Sequence, residues 1–139
     1  AMLEGEPVAW VRAQAESVLA RALLARGDTV TAAAIAGKAQ ESATASGVPQ
    51  VRLATAITSA RVRVAGRQST AAIRALEEIV AEASRRGLVA VSLEARLELG
   101  RAQLAAGRRP EGAATLKALA EDARSRRFLL LAREASTID

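Results

Sequence analysis

The chain has no cysteine, no histidine and no tyrosine, and Trp10 and Phe128 are its only aromatic residues. Without cysteine there is no disulfide, no thiolate nucleophile and no zinc knuckle. Without histidine there is no imidazole acid–base catalysis, and the commonest metal ligand is missing. The lack of disulfides fits a reducing compartment, so a cytoplasmic location is expected. No apolar run is long enough to span a bilayer, and the start Ala1-Met2-Leu3-Glu4 lacks the basic and apolar regions of a secretory signal. That Ala-Met start suggests a piece of a longer protein. There are only three prolines, Pro7, Pro49 and Pro110. With so few aromatics, the core must be built from Leu, Ile, Val and Ala, which requires closely approaching helices.

What is present is a chain of 139 residues, half of them apolar, long enough for one domain with a real core. The net charge is +5, and the basic excess is almost all arginine, with Lys38 and Lys117 the only lysines. The excess lies after residue 50. An Ala- and Arg-rich composition of this kind follows from a GC-rich genome without any functional pressure.

The glycines carry the organisation. Gly27, Gly66 and Gly107 recur at a nearly constant step, the second interval slightly longer than the first, and Gly47 and Gly87 fall between them. Each ends a helical stretch and the next begins at once, the punctuation of a helical repeat array. Seven helices are predicted. The first runs from Pro7, a favoured first helical residue, to Gly27, and the second from Asp28 or Thr29 to Gly47. A third spans Pro49 to Gly66, a fourth begins near residues 68–70 and stops at Gly87, and a fifth runs from Leu88 to Gly107. The sixth opens at Pro110-Glu111 and ends near Arg127, and a short seventh, Phe128 to Thr137, caps the stack.

Apolar patterning separates two helix types. In the fourth helix, Ala72, Ile73, Leu76, Ile79, Val80 and Ala83 share one face and charges cover the other. The fifth has two opposed stripes, Leu93-Leu97-Gly100-Leu104 and Ala95-Leu99-Ala102-Ala106. The third repeats this plan, with Leu53, Ile57, Ala60 and Val64 opposite Val51, Ala54, Val62 and Ala65. A doubly striped helix is clamped between neighbours, so odd-numbered helices are expected inside and even-numbered ones outside. The second helix has no leucine and carries Gly37 in its middle; its Ala32-Ala33-Ala36-Ala39 face is expected to be mobile or covered by another subunit.

The spacing Leu99-Gly100, Gly107, Gly112 and Leu116 resembles the tetratricopeptide pattern, as does Leu19-Ala20, Leu23, Gly27, Ala32 and Ala39. The middle repeat departs from it, with Thr58-Ser59 in place of Leu-Gly, though Gly66 and Ala71 fit. The family's Trp, Tyr, Phe and closing Pro positions are absent, and the period exceeds the family's ~34 residues. The resemblance covers nearly the whole chain. It implies an all-α, right-handed α-solenoid of three stacked helix-turn-helix repeats, at about residues 7–47, 49–87 and 88–127, with the cap at 128–138, all within one domain. It also implies peptide or protein binding on a concave face and no catalytic residue. Arrays of this kind occur in bacterial multidomain kinases and transcriptional regulators, which makes another domain of a parent signalling protein a candidate partner.

Two polar strips are candidate partner-binding sites. Arg52, Thr55, Ser59 and Arg63 recur at helical spacing on the third helix, where two guanidinium forks flanking two hydroxyls suit an acidic peptide. Trp10, Gln14, Ser17 and Arg21 make a similar strip on the first, with Trp10 a potential interface anchor. For either strip the plain alternative is a solvated face, and for Trp10 it is packing against a neighbour. The clusters Arg85-Arg86, Arg108-Arg109 and Arg124, Arg126 and Arg127 raise nucleic-acid binding, but they sit at helix ends where the dipole welcomes cations, and no aromatic platform accompanies them. Glu94 and Glu98 lie one turn apart, yet no histidine or second acidic helix joins them into a metal site, and Arg101 is placed to pair with Glu98. No Gly-rich phosphate loop occurs. The expected function is therefore a non-catalytic protein-interaction or scaffold module without cofactor or metal. The alternative is a self-associating homo-oligomeric regulator, and nucleic-acid binding ranks below both.

Overall fold

The computed structural model describes the backbone of residues 5–137 and the side chains of residues 8–127. Among them the only regular elements are six helices: α1 (Gly5–Ala25), α2 (Thr29–Ser46), α3 (Pro49–Ala65), α4 (Ser69–Arg85), α5 (Val89–Ala105) and α6 (Arg109–Thr137). They pack as consecutive hairpins. Each helix touches the next, α1 touches α3, and α3 touches α5, while among the described residues α2, α4 and α6 do not touch one another and α1 does not meet α6. The odd helices thus form a continuous inner layer and the even ones an outer layer, an open array and not a closed bundle.

The turns recur at a more regular step than the glycines suggest. Left-handed backbone occurs at Gly27 (φ 83°), Gly47 (φ 69°), Arg67 (φ 63°), Gly87 (φ 70°) and Gly107 (φ 82°), at every twentieth position without exception. Gly66, which the glycine series takes as the end of the third helix, has φ −85°. The left-handed residue is the next one, so every hairpin repeat has the same length and the unequal glycine intervals disappear. The same closing bond marks four of the turns: the N–H groups of Asp28, Gln68, Leu88 and Arg108 donate to the carbonyls of Leu23, Arg63, Ala83 and Gln103, at 2.8–2.9 Å. At Gly47 a side chain takes this part, with Ser46 Oγ donating to the Ala43 carbonyl (2.6 Å) and accepting from Val48 N–H (3.2 Å).

The same step explains why six helices form and not seven. The next position in the series is Arg127, and there is no glycine beside it. The backbone continues through residues 128–137 as one helix with α6, and the predicted short cap is its C-terminal extension.

The main core lies where α3, α4 and α5 meet. Leu53, Ile57, Ile73, Leu76 and Ile79 are at most 5 % exposed there, packed with Val91, Ala95 and Ala102. Burying each of these large aliphatics contributes about 1.5–3 kcal/mol. Val51 and Val62, on the opposite stripe of α3, are buried against α1 and α2 instead, so α3 is clamped on both sides. The first hairpin is closed by alanine: Ala13 and Ala20 of α1 are buried with Ala32, Ala36, Ala39 and Ala43 of α2. Of the alanine face of α2, Ala32, Ala36 and Ala39 are therefore covered within the chain, while Ala33 is exposed. Side chains without a γ-carbon let the two helices approach closely. At the other end the close approach is made by glycine: a Cβ on Gly100 would lie 2.5 Å from Leu116, and one on Gly112 would lie 3.1 Å from the Gly100 carbonyl.

Candidate functional site

The constant hairpin step aligns equivalent positions of the inner helices. Trp10, Gln50 and Ala90 are equivalent, as are Gln14, Ala54 and Glu94. These six residues line one cleft of about 440 Å³ on the face where α1, α3 and α5 lie side by side. Ser17, Val18 and Arg21 extend it along α1, and Val48, Val51, Thr55 and Val91 supply the rest of its lining. From Trp10 to Arg21 the cleft follows α1 for roughly 16 Å, the length of about three helical turns or five extended residues.

Its floor is pinned by a polar chain crossing all three inner helices. Ser17 and Thr58 share a hydroxyl–hydroxyl bond of 2.7 Å, with Thr58 fully buried. Arg21 Nε donates to Thr58 Oγ1 at 3.0 Å, and the same guanidinium donates through Nη2 to Glu94 Oε1 at 2.7 Å. One side chain of α1 therefore reaches both α3 and α5. Trp10 stands at the far end, 41 % exposed, with Gln14 and Gln50 beside it, also exposed. The arrangement is a valine-lined trough with a tryptophan at one end, an ion pair at the other, and free amides on the rim.

The structure brings Trp10, Gln14, Ser17 and Arg21 together with Thr55 in this cleft and places the remaining strip residues elsewhere. Arg52 turns to the outer helix, where Nη1 and Nη2 of its guanidinium donate to the two carboxylate oxygens of Glu82 of α4. Thr55 is 2 % exposed and its hydroxyl donates to the Arg52 carbonyl at 2.9 Å. Ser59 lines a separate groove between α2 and α3, and its Oγ is buried without a hydrogen-bond partner. Arg63 is exposed beside that groove and a further one against α4. Arg52, Thr55, Ser59 and Arg63 thus do not share one opening. Of the α3 residues that line the cleft, Thr55 belongs to the sequence-predicted strip, whereas Gln50, Val51 and Ala54 do not.

The arginines act chiefly as ties between and along helices. Arg86 Nε donates to Glu82 at 2.8 Å, Arg96 reaches Asp122 of α6 at 2.7 Å, and Arg126 lies 3.4 Å from the same carboxylate. Glu98, 8 % exposed, lies between Arg101 at 3.1 Å and Arg61 at 3.8 Å. The guanidinium of Arg52, helped by that of Arg86, lowers the Glu82 pKa from 4.5 to about 2, and Arg96 lowers that of Asp122. Members of the clusters considered for nucleic acid are engaged in this way, including Arg86, Arg126 and, at 3.9 Å from Glu111, Arg108. Among the described residues no three acidic side chains group as a metal site, and no helix is long and apolar enough to cross a membrane.

Comparison with known proteins places the architecture. The chain superposes on the crystal structure of a variant of nearly identical TPR-like repeats from Podosopora anserina, a protein described as a kinesin light chain, with a TM-score of 0.69 and 28% sequence identity. The fold is a TPR-like repeat solenoid. The match covers 84% of this chain and 57% of the other, so this chain spans little more than half the length of that TPR-like array. No protein-family model matches the sequence, and no curated protein does.

Proposed function

We propose that this chain is a protein-interaction module that takes a peptide segment of a partner along the cleft formed by α1, α3 and α5. The observation that carries the reading is Trp10. It is a large aromatic left 41 % exposed at the mouth of a pre-formed, valine-lined trough, next to two uncommitted glutamine amides. A tryptophan in that setting is an anchor that binding desolvates, and the amides are placed to hydrogen-bond a peptide backbone. Because Arg21, Thr58 and Glu94 already hold the three helices in register, little ordering entropy is lost on binding. The cleft favours an apolar side chain near Trp10 and Val18. The Arg21–Glu94 pair marks its polar end and offers charge of both signs to the ligand. Another domain of a longer parent protein is one source of such a segment.

The test is selection from a displayed random-peptide library on the intact chain. Peptides that engage the cleft should shift the emission of the sole tryptophan. They should also lose about 30-fold in affinity, some 2 kcal/mol, on Trp10→Ala. Arg63→Ala, outside the cleft, should leave their affinity unchanged. Selected peptides that bind Trp10→Ala as tightly as the native chain would show that the cleft is not the binding face.

A further inference from the structure

The two junctions between successive hairpins are equivalent in register and unequal in filling. Where α4 meets α5, Ile73 and Leu76 are at most 3% exposed within the main core, and Val80 and Leu99 pack against it. Their equivalents where α2 meets α3 are Ala33, Ala36, Gln40 and Ser59. The large side chains that close the second junction are missing from the first, and all four residues line the groove of about 480 Å³ that lies there. Both hairpins that form this groove are among the described residues. A further hairpin at either end of the array would stack on α1–α2 or on α5–α6, and its presence would leave the groove open.

The polar groups of the first junction also lack the internal partners that the second supplies. Gln103 is 6% exposed, and its Oε1 accepts from Thr115 of α6 at 2.7 Å. The equivalent pair is Arg63 and Ala75, and an alanine side chain offers nothing to a guanidinium. Arg63 is exposed, stands between this groove and a second one of about 510 Å³ against α4, and pairs with no carboxylate among the described residues. Arg74, on the α4 wall of the second groove, is likewise exposed and unpaired among the described residues. Glu78 is the only acid on either lining. Ser59 adds a buried Oγ without a hydrogen-bond partner where the second junction has Leu99, and buried polar atoms are rarely left so in a native fold. Facing these groups the α2 wall is apolar, with Val30 84% exposed beside Ala33 and Gly37.

We propose that this outer groove, where α3 lies between α2 and α4, takes an acidic peptide segment of a partner protein, separate from the ligand of the inner cleft. A carboxylate of the segment supplies the partner that Arg63 lacks, and Arg74 reinforces the positive potential. An apolar side chain next to it fills the space that Ile73 and Leu99 fill at the other junction. A guanidinium suits this task because it grips a carboxylate with two parallel N–H bonds. From Thr29 to Gln40 the groove follows α2 for roughly 16 Å, room for about five extended residues. With one site on the inner layer and another on the outer, the array can hold two segments at once.

Two displayed heptapeptide libraries test this, one with glutamate fixed at the centre and one with glutamine. Each is selected on the full chain carrying Trp10→Ala, checked for helicity by circular dichroism, so that the anchor of the cleft is gone. Enrichment from the glutamate library alone is expected. The selected peptides should bind the native chain equally well, weaken about tenfold on Arg63→Ala, and weaken as salt rises. Ala33→Ile combined with Ser59→Leu copies the filled junction. It should abolish their binding without lowering the melting temperature, and Arg63→Ala keeps the test decisive if that double variant fails to fold. Equal enrichment from both libraries, enrichment from neither, or binding that survives Arg63→Ala would overturn the proposal. A native chain that self-associates by light scattering and turns monomeric on Ala33→Ile with Ser59→Leu would give the groove to a second copy, and would overturn the acidic partner.

Discussion

Arg21 and Glu94 are 73 positions apart in the chain, yet their side chains meet at 2.7 Å across the face of α3. Between them, Arg21 also holds the hydroxyl of Thr58 at 3.0 Å. The two groups are each about a third exposed, at 35% and 38%, so solvent screens the charge attraction. The charge-assisted bond to fully buried Thr58 is the more valuable half. Arg21→Ala is expected to cost about 1–2 kcal/mol, and Glu94→Gln under about 1 kcal/mol. A double-mutant cycle by urea denaturation, with coupling between the two sites below about 1 kcal/mol, would agree with this division. A larger coupling would move the weight onto the ion pair.

Arg67 holds a left-handed conformation that four glycines hold elsewhere in the series. The flanking bonds, Gln68 N–H to the Arg63 carbonyl at 2.8 Å and Arg67 N–H to the Val64 carbonyl at 3.0 Å, keep the turn closed against that cost. Arg67→Gly is therefore expected to stabilise the fold by about 1 kcal/mol despite the greater freedom glycine gives the unfolded chain. The urea midpoint should rise with the slope of the transition unchanged.

Gly112 and Gly37 should respond to alanine in opposite directions. At Gly112 a Cβ would lie 2.8 Å from Leu104 and 3.1 Å from the Gly100 carbonyl, so α5 and α6 must part. About 1–3 kcal/mol of stability should be lost. At Gly37, mid-helix in α2, nothing lies within 4 Å of the added methyl. Gly37→Ala should add about 1 kcal/mol from helix propensity alone. Thermal melts of the two variants against the native chain decide both.

Acid should weaken the tie between α3 and α4. The Glu82 pKa is lowered from 4.5 to about 2, because Arg52 and then Arg86 bond its charged form. The folded state thus binds its proton less readily than the unfolded one. The stabilisation is complete above the ordinary carboxylate pKa and drains away as pH falls toward the folded value. Asp122, lowered by Arg96 and then Arg126, acts in the same direction between α5 and α6. Urea midpoints followed from about pH 6 down to about pH 2 should fall, and Glu82→Gln should flatten part of that fall. Identical pH profiles for the two proteins would remove Glu82 from the account.

Much of this fold is legible in the sequence because its punctuation is local. Pro49 opens α3, Asp28 caps α2 by accepting from Thr31 N–H at 3.1 Å, and four of the five turns fall on glycine. The double stripes of α3 and α5 also point to an inner layer. What the sequence hides has one main cause. Gly66 has the look of a turn residue, but the turn is made by Arg67, whose identity gives no hint of a positive φ. That shift conceals the equivalence of Trp10, Gln50 and Ala90, and with it the α3 and α5 walls of the cleft. Arg52 looks available for a ligand because a sequence does not show that Glu82 stands opposite it. The length of α6 is obscured for the converse reason: a helix here ends where a glycine is supplied, and near residue 127 none is.

An array whose turns all fall on one step is tolerant of change in a single quantum. Losing or duplicating one whole hairpin leaves every later helix aimed at its proper neighbour, because the left-handed turns at Gly27, Arg67 and Gly107 are interchangeable cut points. Adding one residue inside a helix rotates all that follows it by about 100° and points leucines at water. Recombination between hairpins is thus the cheap evolutionary route for this chain, and the array can lengthen or shorten by whole hairpins while its inner and outer faces stay in phase.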